Sequence, residues 1–269
     1  MIQIDLDQNM RVPAAGHTSK GDQPKWQTGG KWYKADHMGH EALSEILVSA
    51  LLKKSNVPDF VEYAPVLIRY DGKILRGCVS DNFRGKNEML IPLERLHRAY
   101  KGRSLAQTLG GIPEPADRVR YTVEFIEQAT GLPHAGKSLT LLLELDAFFL
   151  NEDRHTNNIA VIRNEATGQF RLCPVFDNGL ALLSDENDYP AAEDLYSCIR
   201  RVRAKPFAWD FDEQVSCANA LYGSFLKFSF AKKDVENILN GLAGFYPNNI
   251  LKRTQSVLYE QMRKYPIYF

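Results

Sequence analysis

The sequence predicts an α+β fold of two lobes, a small β-rich N-terminal lobe over residues 1–82 and a larger helical C-terminal lobe over residues 83–269. Three observations predict it. Residues 31–79 run strand, helix, hairpin; the chain beyond residue 90 is dominated by helical periodicity; and a single pair of strand-like runs interrupts those helices. The cleft between two such lobes is a natural ligand site.

Residues 1–30 are polar, rich in Gly, Lys and Gln, and end in Gly29-Gly30, which gives loops or short strands. Lys31–Ala35 is expected as a strand and His37–Lys54 as the first helix. On that helix Ala42, Ile46, Ser49 and Ala50 share a face, Leu43, Leu47 and Leu51 adjoin it, and Glu41 and Glu45 lie on another. Two β-rich runs follow, Glu62–Tyr70 and Lys73–Val79, joined by Asp71-Gly72, a strong hairpin signal. The polar Ser80–Lys86 is a connector. Helical spacing marks Pro92–Tyr100, Ala116–Thr130, Ser138–Leu150, Asp212–Lys227 and Lys232–Lys264, the last broken near Gly241–Asn248. Within this half only Ile159–Arg163 and Gln169–Val175 are expected as strands, linked by the turn-like Asn164–Gly168.

Composition narrows the class. The 33 basic residues balance 33 acidic ones, which argues against a general electrostatic grip on nucleic acid or an anionic membrane. Cys78, Cys173, Cys198 and Cys217 lie far apart with no CxxC pair, so neither a disulfide framework nor a zinc site is expected. The N-terminus lacks a basic-then-apolar signal pattern. The longest apolar stretch, Leu139–Leu150, is broken by Glu144 and Asp146 and is too short to span a bilayer. These features fit a cytoplasmic protein, or an effector delivered without a Sec signal.

The chemistry concentrates in Asn151-Glu152-Asp153-Arg154-His155-Thr156-Asn157-Asn158, a polar loop between an apolar helix and a strand. The second strand ends in Phe176-Asp177-Asn178-Gly179. If the two strands pair, the open end of their hairpin brings Asn158 and Asp177 together, with Asp153 beside them. Phosphoryl transfer needs that set of oxygens. Mg²⁺ takes oxygen ligands and keeps several waters, so the Asp177 carboxylate and the Asn158 amide suffice alongside ATP. Asp153, free of metal, can orient an acceptor hydroxyl and take its proton. Each residue alone is an ordinary turn former. Their joint placement on helix end, loop and hairpin carries the expectation.

The order Asp153-Arg154-His155 with Asn158, then a hairpin and Asp177-Asn178-Gly179, resembles the HipA-like serine/threonine kinases and, more distantly, the phosphatidylinositol kinases. Ordinary eukaryotic protein kinases have His-Arg-Asp order and Asp-Phe-Gly; here Asn178 replaces the Phe. Pro58–Tyr63, Gly77–Phe83 and Asn157–Ile162 look most like the compact members. The resemblance implies a protein-kinase-like fold with ATP and Mg²⁺ between the lobes and a protein Ser/Thr hydroxyl as acceptor. It implies that Lys34 holds the α/β-phosphates and pairs with a helix carboxylate, Glu45 favoured over Glu41, with Lys31 as a rival lysine. It implies that Gly16–Lys25 covers the phosphates through Ser19 and Gly21, with Ser19 (or Thr18) open to autophosphorylation. Ser80, Asp81 and Phe83 would lie on a hinge whose backbone bonds adenine, His155 would support the loop, and Arg154 could neutralise nearby charge. Members of this family are often toxins paired with an antitoxin, so a separately encoded regulatory partner is an expectation. Direct nucleic-acid binding and membrane association are not expected.

Two signals point elsewhere. Gly131–Ser138 matches the P-loop pattern Gly-x-x-x-x-Gly-Lys-Ser, but a P-loop must follow a buried strand and Val119–Thr130 is helix-periodic. Gly131 instead suits a helix C-cap and Ser138 the next helix's start. His37 and His40 share a helical face, with no further ligand pair to complete a metal site. A lipid or small-molecule kinase of the same fold, a P-loop NTPase using Gly131–Ser138 and a non-catalytic binding module are the rival classes.

Overall fold

The computed structural model describes residues 2–12 and 23–269. Strands β1 (Ile2–Asp5), β2 (Lys25–Thr28), β3 (Lys31–Ala35), β4 (Ala64–Tyr70) and β5 (Lys73–Asp81) form one sheet in the order β1-β4-β5-β3-β2. Within this sheet β1 pairs parallel with β4, and the β2–β3, β3–β5 and β4–β5 pairs are antiparallel. The β4–β5 hairpin closes through Asp71 and Gly72, both at positive φ (48° and 70°), the geometry that the tightest hairpins require. β5 runs on through Asp81, so the expected connector begins two residues later than its composition implied. Trp26, Val66 and Ile68 are fully buried beneath this sheet.

Helix α1 (Glu41–Leu52) crosses between sheet and helical lobe, and eleven of its twelve residues are buried. It is apolar nearly all round because it faces partners on more than one side. It starts at Glu41 rather than His37. The Glu41 carboxylate accepts from the backbone N–H groups of His37, Met38 and Gly39, which keeps them out of the helix ladder.

The helical lobe holds α2 (Leu93–Lys101), α3 (Leu105–Gly110), α4 (Pro115–Thr130), α5 (Ala135–Phe149), α6 (Leu195–Arg201), α7 (Phe211–Tyr222), α8 (Lys232–Gly241) and α9 (Asn248–Lys264). A second sheet orders β6 (Glu88–Pro92), β7 (Ala160–Asn164) and β8 (Phe170–Leu172) as β6-β7-β8, all antiparallel. β6 was not expected, and the run Gln169–Val175 shortens to three paired residues. Beyond them Val175 exchanges backbone hydrogen bonds with Asp59 and Val61, tying the hairpin to the segment after α1. Helix α7 stops at Tyr222 because Gly223 turns the chain at φ 92° and the next N–H groups, of Phe225 and Leu226, donate to buried Glu144.

The P-loop-like segment is a helix–helix connection. Gly131 closes α4 in the left-handed region (φ 70°), and α5 begins at Ala135, before Ser138. Lys137 lies within α5, its ammonium 5.3 Å from the Phe225 ring centre. Among the described residues no helix is long and apolar enough to cross a membrane, and no group of three or more His, Cys, Asp or Glu side chains is placed to hold a metal. His40 is buried with Nδ1 3.4 Å from Glu186.

Candidate active site

The site is built where α1 and β3 meet the end of the β7–β8 segment. Lys34, on β3, is buried and reaches both the Glu45 carboxylate of α1 and Asp177 Oδ1, the latter at 2.7 Å. The second oxygen of Glu45 accepts from the Asn178 N–H at 2.9 Å. One glutamate thus fixes the lysine and the backbone beside Asp177. Burial opposes the Lys34 charge, but the Asp177 and Glu45 carboxylates outweigh it and hold the ammonium well above the ordinary lysine value. Burial likewise opposes the charge of Asp177, yet Lys25, Lys34 and Arg154 keep that carboxyl far below its usual range. Lys25 lies 3.8 Å away on β2. Asp177 sits at φ 58°, a left-handed position that Asp tolerates better than most residues.

The polar loop after α5 is organised by Arg154. Its guanidinium is 1% exposed and forks onto Asp146, with Nε 3.0 Å from Oδ2 and Nη2 3.0 Å from Oδ1. Nη1 donates to the carbonyls of Asn158 (3.1 Å) and Phe176 (2.9 Å), and Nη2 to Asn178 Oδ1 (2.9 Å). A single side chain therefore ties the two ends of the hairpin together and sets Asn158 beside Asp177. Arg154 neutralises nearby charge, as expected, through its pair with Asp146 and its pull on Asp177, and its remaining N–H groups are spent within the loop. His155 is the more exposed neighbour, with Nε2 3.7 Å from Asp153 Oδ2.

Asp153 lies in the same loop, its side chain 16% exposed. The Asn158 amide donates to its carbonyl (2.8 Å) and to Oδ2 (3.3 Å), which leaves Asn158 Oδ1 as the amide's acceptor atom. Among the described residues Asp153 Oδ1 is buried without a hydrogen bond and lies 3.6 Å from Lys205 Nζ.

The other expected residues separate. Lys31, the rival lysine, pairs on the surface with Asp81, whose side chain is 84% exposed and away from Lys34. Ser80 is buried on β5. The Asn82 N–H donates to the Gly30 carbonyl, and the Phe83 carbonyl accepts one bond from Arg171. The Phe83 ring packs 5.9 Å from that of Phe176. Glu41 serves the turn before α1 and does not contact Lys34. Ser19, Gly21 and Thr18 lie outside the described residues.

Superposed on the crystal structure of the Helicobacter pylori proinflammatory kinase CtkA, the chain gives a TM-score of 0.61 at 14% identity, over 97% of this chain and 94% of that one. The chain has a kinase-like fold. A chain from the Shewanella oneidensis MR-1 toxin–antitoxin complex of HipA, HipB and operator DNA superposes more loosely, with a TM-score of 0.46 at 10% identity over 95% of this chain and 67% of that one. The fold assignment rests on the first. No family model matches the sequence, and no curated protein matches it.

Three residues of the site were not singled out in the sequence. Asp146 left a trace, since an acid inside an apolar helical run signals a buried partner. Lys25 stood only as the end of the Gly16–Lys25 segment. Lys205 left no signal, because it lies fifty-two positions beyond Asp153 in the chain.

Proposed function

We propose that this chain is an ATP- and Mg²⁺-dependent kinase that transfers the γ-phosphoryl group to a Ser or Thr hydroxyl of a protein. The supporting observation is the joint arrangement of Lys34 between Glu45 and Asp177, with Arg154 bracketing Asn158 and Phe176 behind them. Residues 1–82 form the lobe that covers the nucleotide, and residues 83–269 carry the catalytic loop and the metal-side residues. The donor set fits the metal: one carboxylate, Asp177, and one amide oxygen, Asn158 Oδ1, match an ion that keeps waters and leans on phosphate oxygens. When bound, ATP–Mg²⁺ supplies the γ-phosphoryl group and spreads its charge.

The chain's own residues do the rest. Lys34 is anchored by Glu45 and meets the α/β-phosphates with a fixed positive charge. Asp153, steadied by the Asn158 amide, orients the acceptor hydroxyl and takes its proton through Oδ1. Ser19, with Thr18 as the alternate, is the site of autophosphorylation, and Gly21 is assigned to nucleotide binding from the sequence resemblance alone. Ser80, Asp81 and Phe83 flank the adenine. His155 supports Asp153. The chain's regulatory partner is an antitoxin or another separately encoded regulator, and the chain acts in the cytoplasm or as a delivered effector.

Mass spectrometry of the purified chain and a casein acceptor after incubation with Mg²⁺–ATP tests this reading, beside Asp153→Ala. The expected result is phosphoserine or phosphothreonine that the variant does not produce. Phosphate found only on a lipid or a small-molecule acceptor moves the assignment to that class of kinase. No phosphate on any acceptor overturns it.

A further inference from the structure

The α6–α7 connection delivers a lysine to Asp153 from a framework that is itself fixed. Ala204 is buried and its N–H donates to the Trp209 carbonyl at 2.9 Å. Phe207 is fully buried; its carbonyl accepts from Arg118 at 2.8 Å and its N–H donates to buried Gln214 at 3.0 Å. Between these anchors Lys205 projects to within 3.6 Å of Asp153 Oδ1, with side chains only 35% and 16% exposed. The two Asp153 oxygens are thus divided. Oδ2 faces Asn158 and His155 within the loop, whereas Oδ1 has no hydrogen bond among the described residues and looks toward the lysine. A freely waving surface pair would be worth little. Here one partner is sheltered and the other is carried on a pinned segment.

We infer that Lys205 is a positioning residue for phosphoryl transfer, holding the acceptor-side oxygen of Asp153 and lending positive charge where the transferred group passes. The inference rests on the kinase reading above. In the step it serves, the acceptor oxygen forms a bond to the γ-phosphorus as the bond from that phosphorus to the β–γ bridging oxygen breaks. The electron pair leaves with the nucleoside diphosphate, and the acceptor proton passes to Asp153 Oδ1. Lys205 stays protonated throughout. Its ammonium keeps Oδ1 aimed at the hydroxyl and offsets charge on the phosphoryl oxygens as they move away from the nucleotide. Neither Lys34 nor Arg154 can do this, because Lys34 is held between Glu45 and Asp177 and Arg154 is closed within the backbone network.

The test compares the parent, Lys205→Met and Lys205→Arg with Mg²⁺–ATP and casein, measuring kcat, the KM for ATP, binding of a fluorescent ATP analogue and the thermal midpoint. Lys205→Met is expected to lower kcat on the order of 10²-fold with the ATP KM within about twofold, and Lys205→Arg to recover most of the loss. Analogue binding and the thermal midpoint stay at parental values. A kcat for Lys205→Met within about threefold of the parent overturns the inference alone. So does a loss that Lys205→Arg shares in full while the ATP KM rises in step, which marks a structural role. Absence of transfer by the parent overturns the kinase reading and this inference together.

Discussion

Arg154→Met removes the guanidinium that links four groups, and its cost follows from what is left behind. Both partners of the Arg154–Asp146 pair are 1% exposed, so the substitution strands the Asp146 carboxylate in the interior. Breaking a buried pair in this way costs about 3–5 kcal/mol. The carbonyls of Asn158 and Phe176 and the Asn178 amide oxygen lose donors as well, each deficit being worth about 1 kcal/mol or more before water enters. Against a typical total of about 5–15 kcal/mol the variant should fold but sit close to its limit.

The loss carries a pH signature. In the parent, burial raises the Asp146 carboxyl above its ordinary value, with the Arg154 charge and the hydrogen bonds from Arg154 and Asn151 pulling it back. Without Arg154 it rises further. Between the unfolded value of about 3.9 and the raised folded value, the native variant keeps a proton that the unfolded chain has released, so its stability falls as pH rises. Urea titrations at pH 5 and pH 8 should therefore show a larger deficit at the higher pH. Adding Asp146→Asn to Arg154→Met should recover part of the loss and abolish its pH dependence. A variant within about 1 kcal/mol of the parent, or an equal deficit at both pH values, would refute the reasoning.

Asp36 offers a second linkage test. Burial pushes its carboxyl up to about 7, against the pull of the Ala42 N–H and the Tyr246 hydroxyl. With an unfolded value near 3.8, the folded chain holds the extra proton between those limits, so this contribution shrinks as pH rises from about 4 to about 7, by up to ~4 kcal/mol and less where solvent reaches the partly buried carboxyl. Asp36→Asn should flatten that part of the stability profile, measured by urea titration, and an unchanged slope would count against it. A third prediction separates the two nucleotide motifs. Lys137→Ala should leave binding of a fluorescent ATP analogue unchanged, since Lys137 rests over Phe225 within α5, whereas Asp177→Ala should remove the Mg²⁺ dependence of that binding. The opposite pattern would restore the P-loop reading.

What could be foreseen divides by range of interaction. The β4–β5 hairpin and β3 follow from local chemistry: Asp71-Gly72 dictates the turn and alternation the strands. Strand β6 was hidden because its five residues end in Pro92, and its partner β7 begins 68 positions after Pro92. Helices α3 and α6, of six and seven residues, are too short for periodicity to register. The end of α7 depends on Glu144, which captures the N–H groups after Gly223 from another helix. In the site, Asp153, Asn158 and Asp177 are legible because their spacing is set by one loop and one hairpin. The choice of Glu45 over Glu41 as partner of Lys34 is tertiary, since both carboxylates lie on α1 and only the placement of His37–Gly39 decides which one is free to turn toward the lysine.

The adjacent Arg154 and His155 show why a motif does not assign its own roles. Neighbours in a loop point opposite ways, and which one turns inward depends on what the interior offers. Here α5 presents Asp146 one turn before its end, and the fork of Arg154 matches that carboxylate and three further acceptors at once. An imidazole has two ring nitrogens and cannot satisfy them all. The inward position therefore selects the arginine, and the histidine is left beside Asp153. A buried ion pair of this kind is weak evidence of added stability, because an apolar replacement of both partners often does as well. What an apolar pair cannot do is hold the carbonyls of Asn158 and Phe176 on one nitrogen. The network serves position, since it fixes the two backbone segments that carry Asn158 and Asp177.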